Sequence, residues 1–168
     1  MAGRFAGRDL TSPNDQRVRP TAEHVRASLL DALAADVADA RVLDLFAGTG
    51  ALGLEAISRG ARGADFVEFR PASLHALRAN VAALRLRERT RIFKRDAIPF
   101  AAALPAESYD IAFADPPYES RVLDRLLECW RERHFARILA VEHARSHPLP
   151  RGAFRQSFQE SVITIYRA

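Results

Sequence analysis

Val42-Leu-Asp-Leu-Phe-Ala-Gly-Thr-Gly-Ala-Leu-Gly53 decides how this chain folds. Residues 41–46 are a short apolar run, which predicts a buried strand. The run ends in a turn where Gly48, Gly50 and Gly53 follow the spacing G-x-G-x-x-G. Residues 51–58 then predict a helix, with Gly60 as its stop. A strand, a glycine turn and a helix in that order form the ligand-binding corner of a doubly wound α/β sheet. The glycines let the backbone approach a ligand closely, and the helix start offers free N–H groups.

The alternation continues outward from this corner. Residues 65–69, 90–94, 111–114 and 138–141 predict further strands. Between them lie helices opened by Pro71, spanning 97–104 and marked by Val122, Leu126 and Trp130. Towards the N-terminus, Val25, Leu29 and Leu33 recur every four residues as a helix stripe, with Thr21 placed to cap it. Residues 154–159 and 162–166 predict two closing strands joined at Glu160-Ser161. Strands alternating with helices predict a mostly parallel sheet covered on both faces, with an antiparallel edge. Residues 1–20 lack periodicity and read as a basic arm. Residues 21–168 read as one domain.

Glycine spacing alone suits a dinucleotide as well as a nucleoside cofactor. Asp44, four residues before the first glycine, separates the two. A carboxylate there repels a pyrophosphate and attracts an ammonium, which S-adenosylmethionine carries on its amino-acid moiety. Glu68 ends the next strand, where it can accept from ribose hydroxyls, and Asp96 follows the third, within reach of an adenine amine. The cofactor set expected from this corner is Asp44, Phe46, Ala47, Gly48, Thr49, Gly50, Glu68, Phe69, Asp96 and Ala97.

Asp115-Pro-Pro-Tyr118 closes the fourth strand. Two prolines remove N–H donors and leave a rigid edge that offers only acceptors. An exocyclic nucleobase amine needs such acceptors, because its lone pair is delocalised into the ring. The Asp115 carboxylate and the Pro116 carbonyl can each accept one N–H and aim the nitrogen at a sulfonium methyl. Tyr118 can stack on a base drawn out of its helix. Asp115, Pro116, Pro117 and Tyr118 are therefore the candidate catalytic residues, and the transfer needs no metal. His143 beside Glu142 reads as a wall of the substrate cleft.

The chain has 168 residues, with 25 Lys+Arg against 21 Asp+Glu and a net charge of +4. Of the cations only Lys94 is lysine. Arginine pairs bidentately with phosphate, so this balance suits a nucleic-acid surface. Arg4, Arg8, Arg17, Arg19 and Arg26 are the candidate RNA contacts, with a second basic cluster at Arg85, Arg87, Arg89, Arg91, Lys94 and Arg95. The single cysteine, Cys129, excludes an internal disulfide and a cysteine-cluster zinc site. The five histidines have no metal-ligand spacing. No apolar run approaches the ~20 residues that span a bilayer. The expectation is a cytoplasmic monomer without a metal or a membrane segment.

Asp44-Leu-Phe-Ala-Gly-Thr-Gly-Ala-Leu-Gly-Leu-Glu-Ala56, Ser58-Arg-Gly-Ala61, Phe66-Val-Glu68 and Asp115-Pro-Pro-Tyr118 together resemble the bacterial 16S ribosomal RNA guanine-N2 methyltransferases, the small-subunit methyltransferase D family. Gly7-Arg8, Arg19-Pro-Thr21 and Val25-Arg26 resemble that family's N-terminal signature. The resemblance covers nearly the whole chain. It implies a Rossmann-like, seven-stranded sheet with a reversed last strand, S-adenosylmethionine as cofactor, and a guanine of 16S rRNA as substrate. It also implies that the substrate is a small ribosomal subunit or its precursor. Arg70 departs from the acidic residue common after the Glu68 position, and Glu160-Ser161 lacks a glycine common between the last strands. Asp-Pro-Pro-Tyr is shared with methyltransferases of DNA adenine and other nucleobase amines, so these remain alternatives. A non-catalytic RNA-binding assembly factor of the same fold is another.

Overall fold

The computed structural model describes residues 1–13, 22–117 and 121–168. Strands β1 (Arg41–Asp44), β2 (Gly63–Glu68), β3 (Thr90–Lys94), β4 (Tyr109–Ala114), β5 (Ala136–Ala144), β6 (Phe154–Ser157) and β7 (Ser161–Arg167) form one sheet in the order β3-β2-β1-β4-β5-β7-β6. The first five run parallel, and β7 is antiparallel to both β5 and β6. The expected Rossmann-like α/β class and reversed closing strand are therefore present.

Strand order reverses between β1 and β4, and ligands bind outside the strand ends at such a point. Helices α1 (Glu23–Ala32), α2 (Ala34–Val37), α3 (Ala51–Ser58) and α4 (Pro71–Ala83) cover one face. Helices α5 (Ala97–Ala102) and α6 (Val122–Arg133) cover the other. The parallel strands feed both layers by alternation. Val42, Phe66 and Phe113 pack into the first apolar cluster, and Leu43, Val67 and Ala112 into the second. Such two-sided burial is why the strands read as continuous apolar runs.

The Thr21 cap lies outside the described residues, and Ala22 occupies the N-cap of α1 without a side-chain bond. The N-terminal segment, over residues 1–13, docks on the domain. The Phe5 N–H donates to Ser58 Oγ at 2.8 Å, and Ser58 Oγ donates to the Ala2 carbonyl at 2.6 Å. Further along, the Thr11 N–H donates to Asn80 Oδ1 at 2.7 Å. Met1, Phe5 and Leu10 pack against the first apolar cluster.

Arg26 is not a surface cation. It is 8% exposed, and its Nε donates to Glu55 Oε2 at 2.5 Å. Glu55 also accepts from Arg59 at 3.0 Å and from the Ala2 N–H at 3.3 Å. Burial alone would push the Glu55 carboxyl up, but these bonds hold it below the ordinary carboxylate range. One carboxylate thus ties together α1, α3 and the N-terminal segment. Removing one partner of a buried pair leaves an uncompensated charge, at a cost of about 3–5 kcal/mol. Glu55→Ala should lower the unfolding free energy in urea by about that amount, and Arg26→Met with Glu55→Leu should recover most of it. A loss in the single variant no larger than a surface substitution would show that the pair does not hold these elements.

Candidate functional site

The glycine turn is fastened at four places. The Ala47 N–H donates to the Val67 carbonyl at 3.1 Å, and the Gly48 N–H to Glu68 Oε2 at 2.9 Å. Asn80 Nδ2 donates to the Thr49 carbonyl at 3.0 Å. The Gly53 N–H, in the first turn of α3, donates to Asp44 Oδ2 at 3.1 Å. Gly48 has φ +54°, and a Cβ there would meet no atom within 4 Å. Its missing side chain leaves open space against the cavity. Gly53 serves packing instead, since a Cβ would come within 2.5 Å of the Phe66 ring.

These bonds also define the two carboxylates. Glu68 is 8% exposed, and its Oε1 accepts from the N–H groups of Phe69 and Arg70, both at 2.9 Å. Three of its roughly four acceptor positions are therefore filled by backbone, which fixes its orientation and leaves little room beyond one further donor. Asp44 is 2% exposed. Burial, opposed by the Gly53 bond and assisted by the nearby Glu68 charge, pushes its carboxyl up to about 7. Asp96 is the N-cap of α5, with Oδ1 accepting from the Ile98 N–H at 3.2 Å.

A cavity of about 810 Å³ opens over the carboxyl ends of the parallel strands. Its lining holds Asp96, Glu68, Asp44, Asp115 and Glu142, in the spatial order of β3, β2, β1, β4 and β5. Five acids thus stand in a row across the reversal of strand order. Phe46, Ala47, Gly48, Thr49, Phe69 and Ala97 line the same space, and Gly50 lies in the turn beneath, against Leu77. Phe69 is 56% exposed, a large ring at the cavity rim. Pro116 is buried and Pro117 exposed, and both line the cavity beside Asp115. Tyr118 lies outside the described residues.

Several lining residues, Ser73, Arg95 and Glu142 among them, are not placed at the cavity by the sequence. Ser73 is 1% exposed, and its hydroxyl has no hydrogen-bond partner among the described residues. Arg95 is one member of the basic cluster that reaches the cavity. In that cluster Arg91 pairs with Asp65 at 2.6 Å, and the Arg89 guanidinium binds the carbonyls of Ala61 and Arg62. Glu142, 3% exposed, lines the cavity where His143 was expected to. His143 is turned away: Nε2 lies 2.9 Å from Thr164 Oγ1, and Nδ1 lies 3.0 Å from the His147 carbonyl. Burial pushes its pKa down.

Of the candidate RNA contacts, Arg4 and Arg8 are exposed on the docked N-terminal segment. Arg17 and Arg19 lie outside the described residues. Arg26 is the buried partner of Glu55 described above. Among the described residues no group of three or more acids, histidines or cysteines could hold a metal ion, and no helix is long and apolar enough to cross a membrane.

The family model described as conserved hypothetical protein 95 matches residues 1–157. Ribosomal RNA small subunit methyltransferase D of Escherichia coli is 38% identical over 127 residues, which are 76% of this chain and 63% of that protein. The chain thus spans under two thirds of this relative's length. A solved Escherichia coli structure provisionally described as a methyltransferase superposes with a TM-score of 0.85 at 30% identity, covering 99% of this chain and 95% of that one. An RNA methyltransferase of Salinibacter ruber, solved with S-adenosyl-L-homocysteine, shares the fold at a TM-score of 0.70 and 12% identity, over 89% of this chain and 93% of that one.

The Asp44 carboxyl gives the folded chain a distinctive pH response. Its pKa is 3.8 ordinarily and about 7 in the fold. Its contribution to stability is full below pH ~4 and is lost as pH rises through ~7, because the unfolded chain releases the proton first. Asp44→Asn should remove this loss. The stability difference between variant and wild type, followed by urea unfolding from pH 4 to 8, should therefore shift steadily towards the variant. A flat difference would mean that Asp44 is ionised throughout.

Proposed function

We propose, from the premise that this chain belongs to the conserved hypothetical protein 95 family of small-subunit methyltransferase D relatives, that it methylates the exocyclic N2 amine of a guanine in 16S ribosomal RNA, with S-adenosylmethionine as donor. The observation that carries the reading is the row of five acids over the strand reversal. That row favours cations and N–H donors and opposes phosphates. Asp44 already takes the Gly53 N–H in the first turn of α3, so one of the amides a pyrophosphate would seek is occupied. An NAD-type cofactor fits this corner poorly.

The donor set fits S-adenosylmethionine. Asp44, buried and bonded to the Gly53 N–H, would hold the ammonium. Glu68 would accept from the ribose through its remaining lone pair, and Asp96 would accept from the adenine amine. Phe69 offers a ring face, and Gly48 the open space beside it. When bound, the cofactor supplies a methyl group on a sulfonium sulfur. The chain's own task is then to hold the target amine. Asp115 and the Pro116 carbonyl accept its two N–H groups, which favours a pyramidal nitrogen. Tyr118 would stack on the extruded base. Exposed Arg4 and Arg8, with Arg17 and Arg19, would contact RNA phosphates, and the reading implies a small ribosomal subunit or its precursor as partner. The chain would act as a cytoplasmic monomer.

Labelled S-adenosylmethionine incubated with small subunits, naked rRNA or DNA tests the reading directly. Label in N2-methylguanosine from small subunits is the expected result, and label in DNA adenine or in no nucleoside would refute it. Binding of the cofactor cation beside Asp44 should expel its proton. Calorimetry at pH 6 in buffers of different ionisation enthalpy should therefore show release of close to one proton, absent in Asp44→Asn. Asp115→Ala should lower single-turnover methylation on the order of 10²–10³-fold, the usual scale for one preorganised electrostatic contact. Cofactor affinity should change far less, and a near wild-type rate would remove Asp115 from the chemistry.

A further inference from the structure

We propose that Glu142 reads the identity of the target base, its carboxylate accepting the ring N1–H of guanine beside the amine that Asp115 and Pro116 orient. The assignment rests on the proposed transfer to guanine N2 and names the residue that would select guanine for it.

Position is the first argument. Ala114 of β4 is in register with Val141 of β5, so Asp115 and Glu142 are the next residues along two hydrogen-bonded parallel strands. Such strands lie ~4.8 Å apart. Both residues line the same cavity. A base amine held at Asp115 therefore has Glu142 as its lateral neighbour on the β5 side, while Asp44 and the cofactor corner lie on the β1 side.

Burial is the second. Glu142 is 3% exposed on a strand face that it shares with Ile138 and Ala140, opposite Ile163 of β7. The walls on this side of the cavity are Ala22, His24 and Val25 at the α1 start, Phe158, Gln159 and Glu160 of the β6–β7 connection, and Ser161, which opens β7. They offer apolar side chains to a ring face and polar ones to its edge.

Chemistry is the third. Guanine presents N1–H and the N2 amine side by side, so its edge is a row of donors. The Asp115 carboxylate, the Pro116 carbonyl and the Glu142 carboxylate form a row of acceptors. Adenine presents an acceptor at N1 and cytosine one at N3, and either would set lone pairs against the Glu142 carboxylate. Discrimination of this kind combines attraction to the right base with repulsion of the wrong one.

The test uses small subunits reconstituted with 16S rRNA that carries either guanine or 2-aminopurine at the mapped target position. 2-Aminopurine keeps the amine but has an acceptor at N1. Wild type should favour guanine on the order of 10²-fold or more in kcat/KM, as expected where a site hydrogen-bonds a substrate N–H. Glu142→Gln, whose amide can donate to an N1 acceptor, should compress that ratio at least tenfold with cofactor affinity retained. Equal use of both bases by the wild type overturns the assignment without recourse to any variant. Transfer to guanine with a ratio unchanged in Glu142→Gln overturns it while the functional reading stands. No transfer to guanine N2 by the wild type overturns both.

Discussion

Two carboxylates held by backbone amides set the geometry on which the site depends. Glu68 ends β2 and takes N–H bonds from Gly48 in the glycine turn and from Phe69 and Arg70 in its own connection. Asp44 ends β1 and takes the Gly53 N–H at the start of α3. Between them they lock a turn whose Gly48 φ of +54° few side chains tolerate. Asn80 adds a third restraint from α4, through the Thr49 carbonyl. Carboxylates that accept backbone N–H groups are stronger anchors than neutral acceptors. The same groups that shape the turn thus present the charge that a cationic ligand would meet.

Topology supplies the rest of the charge. Each parallel strand in the order β3-β2-β1-β4-β5 delivers one acid to the same edge. Burial raises the Asp44 carboxyl to about 7, and the Glu68 charge on the next strand adds to that rise. On the proposed function, a row of this sign would repel the RNA backbone from the cavity floor. Backbone contacts would then be made elsewhere, and exposed Arg4 and Arg8 lie on the segment docked over α3 and α4.

Much of this is legible in the sequence. Glycine spacing, three acids at strand ends and Asp-Pro-Pro locate the cavity, because short-range patterns fix which residues leave a strand together. The failures share a cause. Whether Glu142 or His143 faces the cavity is a question of strand parity, and β5 is buried on both faces over residues 138–143, so its sequence shows no alternation to read it from. Arg26 reads as a free cation because its partner, Glu55, is 29 residues away on another helix. Docking of residues 1–13 rests on backbone bonds to Ser58 and Asn80, for which the sequence carries no periodic signal. Ser73 is visible only once the turn after β2 is built.

The row of acids also explains why the fold outside the site is tied so heavily. Gathering acids at one edge opposes folding where they are buried, as Asp44, Glu68 and Glu142 are, since a charge brought out of water and beside its like loses hydration and gains repulsion. Two apolar clusters sandwiching the sheet oppose that loss from below. From the side, Glu55 joins α1, α3 and the N-terminal segment through a buried pair, and Asp65 joins β2 to β3 and β4 through Arg91 and the Tyr109 hydroxyl at 2.7 Å. Neither of these networks touches the cavity lining. The strain of the site and the restraints that hold it are therefore carried by different residues, and a cation or donor edge entering the cavity would relieve the first without altering the second. Any ligand that binds the folded state alone stabilises it by mass action. Here the gain has a local source, because the ligand neutralises a repulsion that the apolar layers otherwise have to outweigh.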